Sequence, residues 1–303
     1  MLWLVVITSA YLILAGVFLV NKYLLAGPLS SPKVFAFYVG TLGVLALLII
    51  PFVGFSAPSF FQVFLSLAAG ALFVYALFWQ FKAIRLFEVS RAIPAIGALI
   101  PLFTFGLIYL FSAGKETLTF LEIIAFILLI FGSVLITLKK GKLITLREMQ
   151  IVAIAAFLFS LSFVFTKYVY LEQSFWPGFV WMRIGGVLVA ICFFLFFKEV
   201  KAEIFKKQAG FKPKTAIIFL ISQAMGAIAF VLQNWAIFLA PLAFLAIINA
   251  LQGVQYVFLL VFAALFSFKF PELLKEQISR EVILQKIVAI LLIGGGLLVL
   301  TLK

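Results

Sequence analysis

Histidine is absent from this 303-residue sequence, and cysteine occurs once. Without histidine there is no imidazole metal site, no Ser-His-Asp triad and no His proton relay. Cys192 stands alone in an apolar run, so no intrachain disulfide can form. Acidic residues are scarce, ten against 23 Lys and Arg, and none falls near the middle of an apolar run. The HExxH, GxxxxGK[ST] and GxSxG motifs are all missing. The chain is therefore not expected to be an enzyme, and neither a metal nor a cofactor is expected. Met1 leads straight into an apolar run with no basic stretch before it, so no cleavable signal is expected either.

What is abundant is apolar. Hydrophobic residues make up 66% of the chain, charged ones 11%, and the mean hydropathy is +1.31. A helix needs about 20 apolar residues to cross a bilayer. Runs of that length fall at 2–20, 33–53, 60–81, 90–111, 118–138, 149–171, 177–197, 215–238, 242–266 and 283–302. The fold class expected is an all-α integral membrane protein with ten transmembrane helices. The net charge of +13 does not point to nucleic acid, because Lys and Arg collect in the cytoplasmic loops of membrane proteins.

The first five runs recur as the second five. Lys22-Tyr23, Pro32 and Gly40 return as Lys167-Tyr168, Pro177 and Gly185, each at an offset of 145. Gln80-x-x-Ala83-Ile84 returns as Gln233-x-x-Ala236-Ile237, and Gly132 with Thr137-Leu138-Lys139 as Gly296 with Thr301-Leu302-Lys303. Residues 1–142 and 143–303 thus read as two five-helix repeats. An odd number of spans per repeat turns the second upside down, and the basic joints agree. They follow spans 1 and 3 in the first half but spans 7 and 9 in the second, as inverted repeats require. Most of the 23 Lys and Arg then lie on one face. The positive-inside rule makes that face cytoplasmic and places both termini outside a cell (inner) membrane.

Candidate site residues are the polar exceptions within the spans. Asn249, Gln252 and Tyr256, with Gln255 beside them, sit mid-run at helical spacing and form one polar stripe. Lipid penalises each unpaired polar group, so the stripe should face a hydrated cavity or tie helices together. Arg183 lies well inside span 7, where a cation is either an anion receptor or snorkels to the interface. Gln223 on span 8 is placed to face the stripe. Tyr38 and Tyr75 offer a hydroxyl plus an aromatic face. Pro94 and Pro101, on one face of span 4, free backbone carbonyls and are candidate gating positions. Lys22 and Lys167 are expected to snorkel, and Glu88 and Glu122, near helix ends, to be solvated. Residues 271–284 read as an amphipathic interfacial helix.

Ten spans in two inverted halves, with Lys-Tyr ending the first helix of each, resemble the drug/metabolite transporter superfamily, EamA type. The run from Ala83-Ile84-Arg85 to Pro101, followed by Gly114-Lys115-Glu116, is similar to that family's fourth helix and the turn after it. The resemblance implies a basket whose central cavity is lined mainly by spans 3, 4, 8 and 9. Two departures stand out: the termini are external here, and there is no membrane-embedded Glu of the kind small multidrug relatives use. The function expected is secondary transport, in the export direction, of a small polar or amphipathic metabolite such as an amino acid. A proton is the candidate coupling ion and the bilayer the solvent, with no nucleic acid partner, in a monomer or homodimer. Alternatives are a nucleotide-sugar or organophosphate exchanger, which would line the cavity with more than one cation, and a lipid flippase or scramblase, which would open a polar groove laterally to lipid. An assembly protein without substrate would plug the stripe with side chains.

Overall fold

Each apolar run folds as helix, and two of them break midway. The computed structural model describes residues 2–26, 31–54, 58–86, 89–137, 145–205, 213–267 and 280–301. The helices are α1 (Leu2–Ala26), α2 (Pro32–Leu42), α3 (Ile50–Val53), α4 (Phe60–Leu86), α5 (Val89–Phe111), α6 (Phe120–Thr137) and α7 (Leu146–Glu172). There follow α8 (Phe175–Phe196), α9 (Lys198–Phe205), α10 (Pro213–Leu239), α11 (Leu245–Ala250), α12 (Gln252–Ser267) and α13 (Arg280–Thr301). Among the described residues there is no strand. Seven helical stretches among the described residues are long and apolar enough to cross a membrane, and Ala95–Phe111, Phe120–Leu135 and Leu284–Leu300 are shorter apolar helices. The chain is an all-α, multi-span membrane protein.

Neither run 33–53 nor run 242–266 is the continuous helix expected. Between α2 and α3, Gly43–Ile49 winds as 3₁₀ helix. Pro51 has no amide to give the Leu47 carbonyl, and Ile50 N–H bonds it instead at the tighter spacing. In the second run a short 3₁₀ turn at Leu242–Phe244 precedes α11, and the helix breaks at Leu251 before α12. There Leu251 N–H still reaches Ile247 O at 2.9 Å, but Val254 N–H turns back to Leu251 O. The break falls in the middle of the run and shifts the register of the turn that follows it.

The helices pack through small residues, as expected where lipid supplies no hydrophobic drive. α4 lies against α7 and α8, α10 against α1, α5 against α7 and α11, α12 against α1, and α13 against α6. At the α4–α8 crossing a Cβ on Gly70 would run into the Met182 carbonyl, and one on Gly185 into the Leu67 carbonyl. Only glycine permits that approach. The α6–α13 crossing is reciprocal: a Cβ on Gly132 would come within 3.0 Å of Ala289 O and meet Ile293, while one on Gly296 would come within 3.1 Å of Ala125 O and meet Leu129. One end of the α4–α7 seam is closed by Gln173, whose Nε2 donates to Gln62 Oε1 at 3.2 Å and Ser66 Oγ at 3.0 Å.

Local signals set several ends. Thr145 and Glu148 cap α7 reciprocally. Before α6 the same spacing recurs, with Thr119 N–H donating to Glu122 Oε2 at 2.7 Å. Glu122 is thereby buried rather than solvated. α5 ends with Gly114 N–H on Tyr109 O and Ala113 N–H on Leu110 O, Ala113 taking φ 52°. Lys167 does not snorkel. It is buried, and its Nζ donates to Ile237 O at 3.0 Å and Phe238 O at 3.2 Å, the free carbonyls ending α10. Residues 271–279 of the expected interfacial helix lie outside the described residues, as do Glu88, Lys206 and Lys303, while 280–284 begin α13.

Candidate functional site

Between α1, α2, α4, α5, α8, α10 and the broken α11–α12 run lies a cavity of about 680 Å³. That is the size of a small-molecule pocket. Its wall is chiefly apolar, and Arg183 is the one cationic residue among the described residues that line it. α8 starts at Phe175, which puts the Cα of Arg183 about 12 Å along the helix at 1.5 Å per residue. Its guanidinium lies 4.0 Å from the centroid of the Phe230 ring, 5.5 Å from Phe179 and 5.6 Å from Phe73. Three helices contribute the three rings: Phe179 stands one turn before Arg183 on α8, Phe73 comes from α4 and Phe230 from α10.

Ring faces attract a cation without consuming its N–H groups. Arg183 Nε is buried and has no hydrogen-bond partner. No acidic residue is among the described residues lining the cavity. A half-buried guanidinium on a wall with no acidic residue among the described residues is open to an anion, and its planar fork fits a carboxylate or phosphate. Gln223 also lines the cavity, two turns before Phe230 on α10, and its buried Nε2 likewise lacks a partner.

Of the polar stripe, Asn249 and Gln252 reach the cavity and Tyr256 does not. The turn at Leu251 rotates α12, so that Gln255 takes the place expected for Tyr256. Tyr256 is buried instead against α5, its hydroxyl donating to Ile93 O at 3.2 Å in the space that Gly97 leaves. Asn249 is both wall and tie: its Nδ2 donates to Thr104 Oγ1 at 2.9 Å. Tyr11, absent from the sequence expectations, lines the cavity and donates to Ile248 O at 2.8 Å, holding α1 to the end of α11.

Tyr38 and Tyr75 lie off the wall. Tyr38 packs edge-on against Phe219 with centroids 6.1 Å apart. Tyr75 is 41% exposed on the outer surface beside Phe78 and Phe193. Pro101 is buried in α5 without reaching the cavity. Pro94 lies in the first turns of α5, and its side chain is outside the described residues.

Three polar wall residues escaped selection in the sequence: Asn21, Gln80 and Gln233. Asn21 accepts from Ser222 Oγ at 3.3 Å. The last two carried a signal, since they match each other at an offset of 153 in the sequence. A glutamine kept twice within hydrocarbon depth is better evidence of a site than a single one. Nothing in the sequence distinguishes Phe73, Phe179 and Phe230 among 39 phenylalanines.

No family model matches the chain, and no curated protein does. Solved structures do. One, described only as the crystal structure of a protein, is 18% identical and covers 97% of this chain and 96% of its own, at a TM-score of 0.63. At that identity the likeness shows the fold alone.

Proposed function

We propose that this chain is a secondary transporter of the EamA-like drug/metabolite type, exporting a small polar or amphipathic metabolite. Residues 1–142 and 143–303 act as inverted five-helix halves, ten spans in all, that rock about the cavity and expose it to each side in turn. The observation that carries this is a roomy cavity among apolar helices whose wall holds a guanidinium and, among the described residues, no acidic partner. A protein that only scaffolds others has no use for such a space.

The packing supports the two-half arrangement. Exchanging the halves turns the α1–α10 contact into α7–α4 and the α1–α12 contact into α7–α5, and both members of each pair occur. The α6–α13 crossing maps onto itself, because Gly132, Ala125 and Leu129 correspond to Gly296, Ala289 and Ile293 at the offset of 164 found in the sequence. Nucleotide-sugar or organophosphate exchange is less favoured, since such charged substrates call for more than one cation in the wall.

The test is flux. Purified protein in proteoliposomes should exchange an internal labelled aromatic or aliphatic carboxylate for the same external solute. Arg183→Gln should reduce the rate roughly 10- to 100-fold, as expected for removing a hydrogen bond to a charged group. Equal flux through the variant, or none through either protein for any solute class, sinks the reading.

A further inference from the structure

The cavity wall does not stop at the inside of the bundle. Leu45 and Leu220 line it while being 55% and 56% exposed, and Ala224 and Ala227 are both wall residues and exposed. Leu220 and Ala227 lie roughly 10 and 21 Å from the start of α10, and Leu45 roughly 20 Å along its own run. All fall within a hydrocarbon layer about 30 Å thick. The 3₁₀ run 43–49 packs on α8, whereas α10 packs on α1. Near their first turns α2 and α10 are joined by Phe219, whose ring meets those of Phe35 and Tyr38. Beyond that junction the cavity wall is exposed on both elements, at Leu45 and at Leu220, Ala224 and Ala227, which marks a side opening.

A polar solute has no reason to arrive through such an opening, and an amphiphile does. Among the described residues the wall offers a long apolar surface, one cation in a ring of three phenylalanines, and no acidic residue to pair with an ammonium group. Two buried donors, Arg183 Nε and Gln223 Nε2, lack partners. We infer that the substrate class is a monoanionic amphiphile, a carboxylate or phosphate head on an apolar tail. It enters sideways from the bilayer between the 43–49 run and α10 and seats its head on Arg183, with Gln223 a second donor farther along the same wall. This deepens the transporter reading and rests on it.

The experiment uses the full chain in phosphatidylcholine nanodiscs with a fatty acid carrying a mid-chain diazirine, followed by mass-spectrometric mapping of the cross-links. Labels should map to the 43–49 run and the middle of α10. Dodecanoate and dodecyl phosphate should compete, whereas dodecyltrimethylammonium and free phenylalanine should not. Arg183→Gln should reduce the competable labelling roughly 10- to 100-fold. Ala224→Trp, a bulky side chain at an exposed wall position, should slow labelling, and Ala224→Leu serves as a milder block should the tryptophan variant fold poorly.

Labelling that ignores Arg183→Gln, or that the cationic amphiphile displaces equally, would mean ordinary lipid contact and overturn the proposal. Arg183-dependent flux of a water-soluble acid, untouched by either Ala224 variant, would overturn the side entrance and leave the transporter intact. Arg183-dependent labelling without flux of any solute would do the reverse, retaining the amphiphile site and removing transport.

Discussion

At Arg183, burial and interaction pull in opposite directions. Arg183 is half-buried with its Nε shut off from water. Full withdrawal of a cation from water costs several kcal/mol after relaxation and partial withdrawal a share of that, while a cation–π contact returns about 0.5–2 kcal/mol. With no acidic residue lining the cavity among the described residues, the balance at this site is unfavourable. Arg183→Gln should accordingly leave the melting temperature of the purified protein unchanged or raised. A structural arginine would give a clear fall, measurable on the same preparation used for flux. Arg183 was legible in the sequence because a charge within an apolar span has few innocent explanations. Tyr256 was misplaced for a definite reason. Counting i, i+3, i+7 assumes an unbroken helix, and hydrogen bonding at Leu251 breaks it.

Among the elements, the glycines divide into two kinds that sequence cannot separate. Gly70 and Gly185 sit where backbones meet, whereas Gly106 and Gly294 have nothing within 4 Å of the site a Cβ would occupy. Gly185→Ala should push α8 off α4 and abolish the monodisperse folded peak in size-exclusion chromatography. Gly294→Ala, by contrast, should gain about 0.5–1 kcal/mol, the helical preference of alanine over glycine, and raise the melting temperature. Identical behaviour of the two variants would remove the α4–α8 crossing as an account of the fold. Hydropathy alone found the helices, since runs of apolar residues bounded by Gly, Pro and Lys dictate them. The 3₁₀ run at 43–49 and the break at 251 were hidden, because both depend on which carbonyl each amide finds.

For the whole molecule, the proposed orientation puts the basic joints in the cytoplasm and both ends outside. In a Cys192→Ser background, Lys303→Cys should react with an impermeant maleimide on intact cells and Lys206→Cys only after lysis. The opposite pattern would invert the chain and, with it, the direction of export. The proposed two-half plan rests on ordered matches in the sequence, each weak alone, to which the crossing of α6 and α13 at Gly132 and Gly296 adds support. What the sequence concealed was how the interior communicates with its surroundings, which depends on helix separation and not on residue type.

The buried Lys167 has a practical consequence. Its amine is held between two carbonyls at the end of α10 and is 3% exposed, while Lys198 and Lys201 stand in solvent on α9. An amine-acylating reagent should therefore modify the α9 lysines within the first minutes and spare Lys167 for as long as α7 and α10 stay together. Followed peptide by peptide during heating, acylation of Lys167 becomes an internal clock for the parting of those two helices, one that reads local unfolding without any introduced probe.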